Sequence, residues 1–139
     1  MSRRIIVHSL AEARAALGAA AALGVPVTLM SAAGAGAYAG PRWFKALIEA
    51  ACAEHPGVAV DAVLDCAEEA GTVMSALRAG ITRVRFTGSP AMHDRLAAIA
   101  AATGAALEDE SGGETLDLLE ARDPAAAARA FLAGNGSRP

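Results

Sequence analysis

The chain has 139 residues, a formal net charge of −3 and two cysteines. This length suits a single domain and is too short for a complete (β/α)8 barrel, which needs ~200 residues or more. Fifteen acidic residues outnumber twelve scattered basic ones, so we expect no nucleic-acid binding. Two cysteines without CxxC spacing predict reduced thiols in a cytoplasmic protein rather than a disulfide framework.

Short apolar runs alternate with segments of helical periodicity along most of the chain. Ser9 with Glu12 forms a capping box, and Pro41 and Ser89-Pro90 mark two later helix starts. The uncharged stretch from 15 to 41 contains too many glycines to predict a membrane span. The expected order is strand 4–8, helix 10–23, strand 25–30, Gly/Ala loop 31–40, helix 41–55, strand 58–64, helix 66–79, strand 81–86 and helix 90–103.

The pattern changes after Gly104. Residues 105–110 and 115–120 predict two strands around the turn signal 111–113, and an antiparallel hairpin is favoured over a helix at 114–122. A final helix over 124–133 and a disordered tail over 135–139 complete the prediction.

Four βα units predict an α/β fold with a mostly parallel open sheet flanked by helices, followed by a C-terminal β-hairpin and a final helix. The alternative is an incomplete (βα) barrel completed by self-association. Residues 1–134 are expected to form a single domain.

Small polar residues gather where the predicted strands end. In parallel sheets, ligands bind beyond the carboxyl ends of the strands, so a binding site is expected at this edge. The candidate ligand-binding residues are Ser31, Gly34, Gly36, Gly40, Arg42, Thr87 and Ser89.

The loop 31–40 is the most unusual local feature. Its glycines could bring backbone N–H groups close to an anion, and Arg42 could add a charged hydrogen bond. The spacing matches neither the dinucleotide fingerprint nor a Walker motif, so a tightly packed connection is the structural alternative. Nearby, Trp43 is a candidate anchor for self-association.

Three residues are candidate catalytic groups. Asp65 could act as a general base or cap the following helix. Cys66 could be a nucleophile if His8 reached it, and otherwise is a small buried side chain. We predict no metal site and no cofactor, and surface roles for His55 and His93.

Asp65 after the third strand and Thr87 after the fourth resemble the phospho-acceptor and switch positions of two-component receiver domains. The chain departs from that family after the first strand, where His8 and Ser9 replace an acidic pair. It also lacks the strand-5 lysine, because its single lysine is Lys45. We therefore expect no phosphorylation chemistry. Separately, residues 76–81 resemble the helix-to-strand step of many (βα) barrels.

These observations favour a small soluble α/β module that binds an anionic small molecule at the carboxyl edge of its sheet and self-associates. An enzyme acting on a phosphorylated or carboxylated metabolite is one alternative. A non-catalytic structural or interaction protein is the other.

Overall fold

The computed structural model describes residues 3–109 and 114–134. Its strands are β1 (Arg4–Ile6), β2 (Val27–Met30), β3 (Val60–Asp65), β4 (Arg83–Arg85), β5 (Ala106–Glu108) and β6 (Thr115–Asp117). Its helices are α1 (Leu10–Leu23), α2 (Ala35–Tyr38), α3 (Pro41–Glu54), α4 (Ala70–Arg78), α5 (Pro90–Ala102) and α6 (Pro124–Leu132).

The six strands form one parallel sheet in the order β5-β4-β3-β2-β1-β6. Consecutive strands from β1 to β5 are therefore neighbours, and each of these connections carries a helix, as parallel strands require. The predicted open parallel α/β sheet flanked by helices is confirmed.

The predicted C-terminal hairpin is wrong. β5 pairs in parallel with β4, and β6 pairs in parallel with β1, so the two strands occupy opposite edges of the sheet. The Arg4 N–H donates to the Glu114 carbonyl at 3.3 Å and the Leu118 N–H to the Ile6 carbonyl at 3.1 Å. Pairing with β6 thus satisfies backbone groups of β1 that a hairpin would leave open. The turn signal at 111–113 lies outside the described residues, as does the tail 135–139.

The chain folds into two compact units. In the described ranges, the first unit comprises residues 3–30, 47–61 and 114–134. Its core packs α1 against α6, and the buried face of α1 consists largely of alanines. Small side chains let helices approach closely, which gives the alanine-rich composition a structural role. The fully buried larger side chains include Ile5, Leu17, Leu29 and Leu118.

The second unit comprises residues 31–46 and 62–109 in the described ranges. Val63 and Leu64 of β3, Val84 of β4 and Phe86, which follows β4, are at most 1% exposed and form the apolar centre of this unit. α4 and α5 pack against each other in this unit. The loops that follow β3 and β4 begin directly after this core, so a well-packed scaffold positions their side chains.

The helices α1 and α5 begin at the serine N-caps that the sequence predicts. The Ser9 hydroxyl accepts from the Glu12 N–H at 3.1 Å, and the Ser89 hydroxyl accepts from the Met92 N–H at 3.3 Å, as the capping signals predict. The segment 31–40, expected as a loop, contains the short helix α2, which begins after Gly34 at φ 73°. No described helix is long and apolar enough to cross a membrane.

Candidate functional site

Ser31, which follows β2, is hydrogen-bonded to Asp65, the last residue of β3. The Asp65 N–H donates to the Ser31 hydroxyl oxygen at 2.9 Å, and that hydroxyl donates to the Ala32 carbonyl at 3.0 Å. The Ser31 N–H also donates to the Val63 carbonyl at 3.1 Å. Ser31 is 1% exposed, and its hydroxyl group makes hydrogen bonds to backbone groups of Ala32 and Asp65.

The Asp65 carboxylate organises two loops of the second unit. Its Oδ1 atom accepts from the Gly34 N–H at 3.1 Å and from the Ala67 N–H at 2.8 Å. Its Oδ2 atom lies 4.0 Å from Arg85 Nε. The expectation that Asp65 caps the next helix is wrong, because α4 begins at Ala70 and its N-cap residue is Glu69. A buried carboxylate with these contacts is stabilised by hydrogen bonds and by an arginine.

Ala67 holds a backbone conformation that is unfavourable for alanine. Its φ is 49°, and it is the one described non-glycine residue with a positive φ. Its N–H is held by Asp65, and its carbonyl accepts from the Thr87 N–H at 2.8 Å. These two bonds offset the ~1–2 kcal/mol that a left-handed conformation costs an L-residue. They also fix the start of the loop after β4.

Cys66 is a fully buried thiol beside this network. Burial and the nearby Asp65 charge raise the pKa of Cys66 from 9.0 to about 12. The thiol therefore remains protonated at neutral pH, and a protonated thiol is a weak nucleophile. These properties favour the structural alternative for Cys66, a small buried side chain.

Gly36 allows α2 to approach β3 and α4 closely. A Cβ at this position would lie 2.9 Å from Thr72 Cγ2, 3.0 Å from Cys66 Sγ and 3.2 Å from the Asp65 carbonyl oxygen. Gly34 donates its N–H to Asp65. Both glycines thus have packing or hydrogen-bonding roles within the protein, and their role in ligand binding stays a prediction.

His8 lies in the first unit, after β1. Its Nε2 atom is 2.7 Å from Asp117 Oδ1, the carboxylate that ends β6. The same Asp117 oxygen accepts from the Leu119 N–H at 2.9 Å. His8 therefore has its carboxylate partner within its own unit, whereas Asp65 and Cys66 belong to the second unit.

A cleft of ≈ 690 Å³ opens where β4 ends and α5 begins, and we call it the strand-end cleft. Phe86 forms part of its wall and is 1% exposed. The residues that line it are Phe86, Thr87, Gly88, Pro90, His93, Asp94 and Asp109. All of them lie in the second unit. Of the predicted ligand-binding residues, Thr87 lines this cleft, and Ser89 caps the helix that borders it.

His93 is the most unusual residue of the strand-end cleft. Its Nε2 atom is buried and has no hydrogen-bond partner among the residues that the structure describes. Its ring lies 6.2 Å from the Phe86 ring, centroid to centroid. A buried polar atom without a partner costs about 1–3 kcal/mol. The predicted surface role is wrong for His93, whose imidazole forms part of the cleft wall.

Gly40 and Arg42 line a different cleft of the second unit, together with Trp43 and residues of α4. The predicted ligand-binding residues thus fall into three places. Ser31, Gly34 and Gly36 belong to the Asp65 network, Thr87 and Ser89 to the strand-end cleft, and Gly40 and Arg42 to this second cleft.

Sequence reasoning missed His93, Asp94 and Asp109. The sequence contains one signal that could have found His93 and Asp94. Ser89, as the N-cap, places both residues about one turn into α5, next to the end of β4. No such signal pointed to Asp109, because the strand predicted over 105–110 was expected to form a hairpin and not to extend the parallel sheet.

Comparison with known proteins shows a likeness of fold. No protein-family model matches the chain, and no curated protein matches it. A provisionally assigned fructose-1,6-biphosphate aldolase from Coccidioides immitis matches 81% of this chain with a TM-score of 0.65 and 23% identity. A provisionally assigned tagatose 6 phosphate kinase from Sinorhizobium meliloti 1021 matches 98% with a TM-score of 0.59 and 16% identity.

The chain spans less than half of either solved protein, since the matches cover 43% and 46% of their lengths. At these identities the likeness concerns the fold alone. The protein thus has an α/β fold of the kind found in these two proteins.

Proposed function

We propose that the protein binds a small polyhydroxylated metabolite, of the sugar or sugar-phosphate class, in the strand-end cleft. The observation that carries this proposal is the buried Nε2 atom of His93 in the cleft wall, which has no hydrogen-bond partner among the described residues. A ligand hydroxyl could accept from this nitrogen or donate to it, depending on the imidazole tautomer.

The other polar groups of the cleft suit hydroxyl groups better than an anionic group. The Asp94 and Asp109 carboxylates are acceptors for hydroxyl donors, and Thr87 can both donate and accept. Two carboxylates would repel a phosphate placed between them. We therefore infer that the hydroxylated part of the ligand occupies this cleft, which narrows the prediction of an anionic ligand.

The position of the cleft supports the same proposal. It lies beyond the carboxyl end of β4 and next to Asp109, which follows β5. Ligand sites of parallel α/β folds lie at this edge of the sheet. The names of the two solved proteins with a similar fold contain a sugar bisphosphate and a sugar 6-phosphate, which favours the sugar class over other hydroxylated molecules.

A thermal-shift experiment tests this proposal. Fructose and fructose 6-phosphate are added separately to the wild-type protein and to the His93→Gln and Thr87→Ala variants. A ligand at 100 times its Kd stabilises the folded state by about 2.7 kcal/mol, so the wild-type Tm should rise with at least one of them. The comparison of fructose with fructose 6-phosphate shows whether binding requires the phosphate group.

His55→Gln provides the matched control, because His55 is a half-buried histidine of the first unit. We expect His93→Gln to abolish the shift in Tm that fructose causes and to reduce the shift that fructose 6-phosphate causes, whereas His55→Gln should preserve both. Shifts of equal size in His93→Gln and the wild type would contradict the proposed site. The Tm of each variant without ligand is measured first, so that a loss of stability is not mistaken for a loss of binding.

An enzymatic role in the same cleft is the second candidate, because an imidazole and two carboxylates are the usual groups for general acid–base catalysis. The reaction class would be removal of a proton next to the carbonyl of a sugar phosphate and its return to carbon. Proton NMR in D2O measures this step as replacement of a carbon-bound proton by deuterium. Exchange that persists in His93→Gln would exclude His93 as the base.

Self-association also stays a prediction. Trp43 is 38% exposed and Tyr38 is 72% exposed, and large aromatic side chains are common interface anchors. Analytical ultracentrifugation of wild type and Trp43→Ala tests it, with dissociation of the variant as the expected result. A monomeric wild type would contradict it.

A further inference from the structure

A second cleft of ≈ 390 Å³ lies between the start of α3 and the end of α4, and we call it the arginine cleft. It belongs entirely to the second unit. The residues that line it are Ala39, Gly40, Pro41, Arg42, Trp43, Ser75, Arg78 and Ala79. Two of its lining side chains are arginines, and none of the lining residues is acidic.

The two arginines of this cleft have no partner within the part of the chain that the structure describes. Neither Arg42 nor Arg78 makes a side-chain hydrogen bond or an ion pair with any residue that the structure describes. Other arginines of the chain do make ion pairs, among them Arg14 with Glu54 at 2.6 Å. Two positive charges that no described side chain pairs with, in one cleft of a protein with a net charge of −3, attract anions locally.

Lys45, Ser75 and the first turn of α3 also favour an anion in this cleft. The carboxyl end of a helix carries partial negative charge, which would oppose an anion near the end of α4. Lys45 counters this effect, because its Nζ atom donates to the Ala79 carbonyl at 3.1 Å. On the other side, the first turn of the 14-residue helix α3 contributes partial positive charge. Ser75 adds a hydroxyl donor.

We propose that the arginine cleft binds the phosphate group of a small phosphorylated molecule. Guanidinium groups match phosphate oxygens with paired, charge-assisted hydrogen bonds, and two of them line this cleft. The site is separate from the strand-end cleft, whose polar side chains include two carboxylates and no arginine. Binding here therefore does not depend on the function proposed for His93.

Trp43 allows a direct test, because it lines the cleft and is the only tryptophan of the chain. Inorganic phosphate is titrated into the full-length protein at constant ionic strength, with sodium chloride as the reference salt, while tryptophan fluorescence is recorded. We expect a saturable change in fluorescence with phosphate and none with chloride. Equilibrium dialysis with labelled phosphate should give one bound phosphate per chain.

Variants then assign the site. Arg78→Gln should weaken phosphate binding at least about tenfold, because a charge-assisted hydrogen bond is lost. Arg42→Gln should do the same. Arg122→Gln removes one exposed positive charge from the first unit and serves as the matched control, with an affinity within about twofold of the wild type. His93→Gln should also leave phosphate binding unchanged.

Two results would overturn the proposal. One is a fluorescence response that increases linearly with phosphate and shows no saturation. The other is an affinity that is equal in Arg78→Gln and Arg122→Gln, since this would mean that net charge alone governs binding. Circular dichroism confirms that each variant is folded, and both substituted arginines are exposed, so the fold should be retained.

Discussion

The Gly34 N–H donates a hydrogen bond to Asp65 Oδ1 at 3.1 Å, across 31 positions of the chain. This contact connects the loop after β2 with the end of β3. The same carboxylate oxygen holds Ala67 in its left-handed conformation. One buried carboxylate therefore orders the loop that begins α2 and the loop that precedes α4.

Asp65→Ala should lower the free energy of unfolding by ~3 kcal/mol, because it leaves two partly buried N–H donors, those of Gly34 and Ala67, without an acceptor. The expected decrease in Tm is roughly 10 °C. Asp65→Asn is the matched variant, since an amide oxygen can still accept both bonds, and its loss should be about 1 kcal/mol. Urea unfolding measures both values. Equal losses for the two variants would show that charge, rather than hydrogen bonding, gives Asp65 its role.

Two helical glycines should respond oppositely to alanine. Gly36→Ala should destabilise the fold by ~1–3 kcal/mol, because its Cβ would lie 2.9 Å from Thr72 Cγ2 and 3.0 Å from Cys66 Sγ. Gly18→Ala in α1 should stabilise it by ~0.5–1 kcal/mol, since alanine favours helix and the nearest atom outside that helix is 4.0 Å away, on His55. Differential scanning calorimetry compares them. A stable Gly36→Ala variant would contradict the close approach of α2.

Ala67→Gly should raise the Tm slightly. Glycine adopts φ near 49° without the ~1–2 kcal/mol cost of an L-residue, and its greater freedom in the unfolded chain offsets ~0.4–1 kcal/mol of that gain. The control is Ala98→Gly on the exposed side of α5, which should lose ~1 kcal/mol. Equal destabilisation in both variants, measured by thermal unfolding, would mean that position 67 is not strained.

Stability at alkaline pH should depend on Cys66. Its pKa is 9.0 in the unfolded chain and about 12 when folded. Below pH 9 the thiol is neutral in both states, and its contribution is fully present. Between pH 9 and 12 the unfolded chain releases the proton first, so the stability falls as pH rises.

Tm measurements from pH 8 to 11 check this dependence. The wild type should lose stability more steeply than Cys66→Ala. Cys52, whose pKa burial also raises, is half-buried, and Cys52→Ala should change the slope less. Parallel curves for Cys66→Ala and the wild type would contradict a protonated, buried thiol.

The parallel sheet could be predicted from the sequence because its signals are local. Apolar runs, the capping residues Ser9 and Ser89 and the proline at position 41 specify where elements begin. Alternating strands and helices then favour parallel neighbours. The partner of β6 could not be predicted in this way, because the free edge of β1 lies more than 100 positions away in the chain.

The candidate site was predicted only in part. The carboxyl edge of the sheet follows from topology, and Thr87 lies at the end of β4 there, while its role in ligand binding stays a prediction. The contacts of Asp65 with Gly34 and the isolation of His93 Nε2 depend on tertiary packing, which local patterns do not specify. Whether Arg42 has an ion-pair partner among the described residues likewise depends on which acidic side chains the fold brings near it.

Contact between His93 and a hydroxylated ligand in the strand-end cleft should be visible in the imidazole signals of proton NMR. The chain has three histidines, so single His→Gln variants assign every signal. During titration with fructose 6-phosphate, we predict a saturable shift of the His93 signals, while those of His8 and His55 remain in place. Unchanged His93 signals at saturating concentrations of fructose and of fructose 6-phosphate would contradict ligand binding at His93.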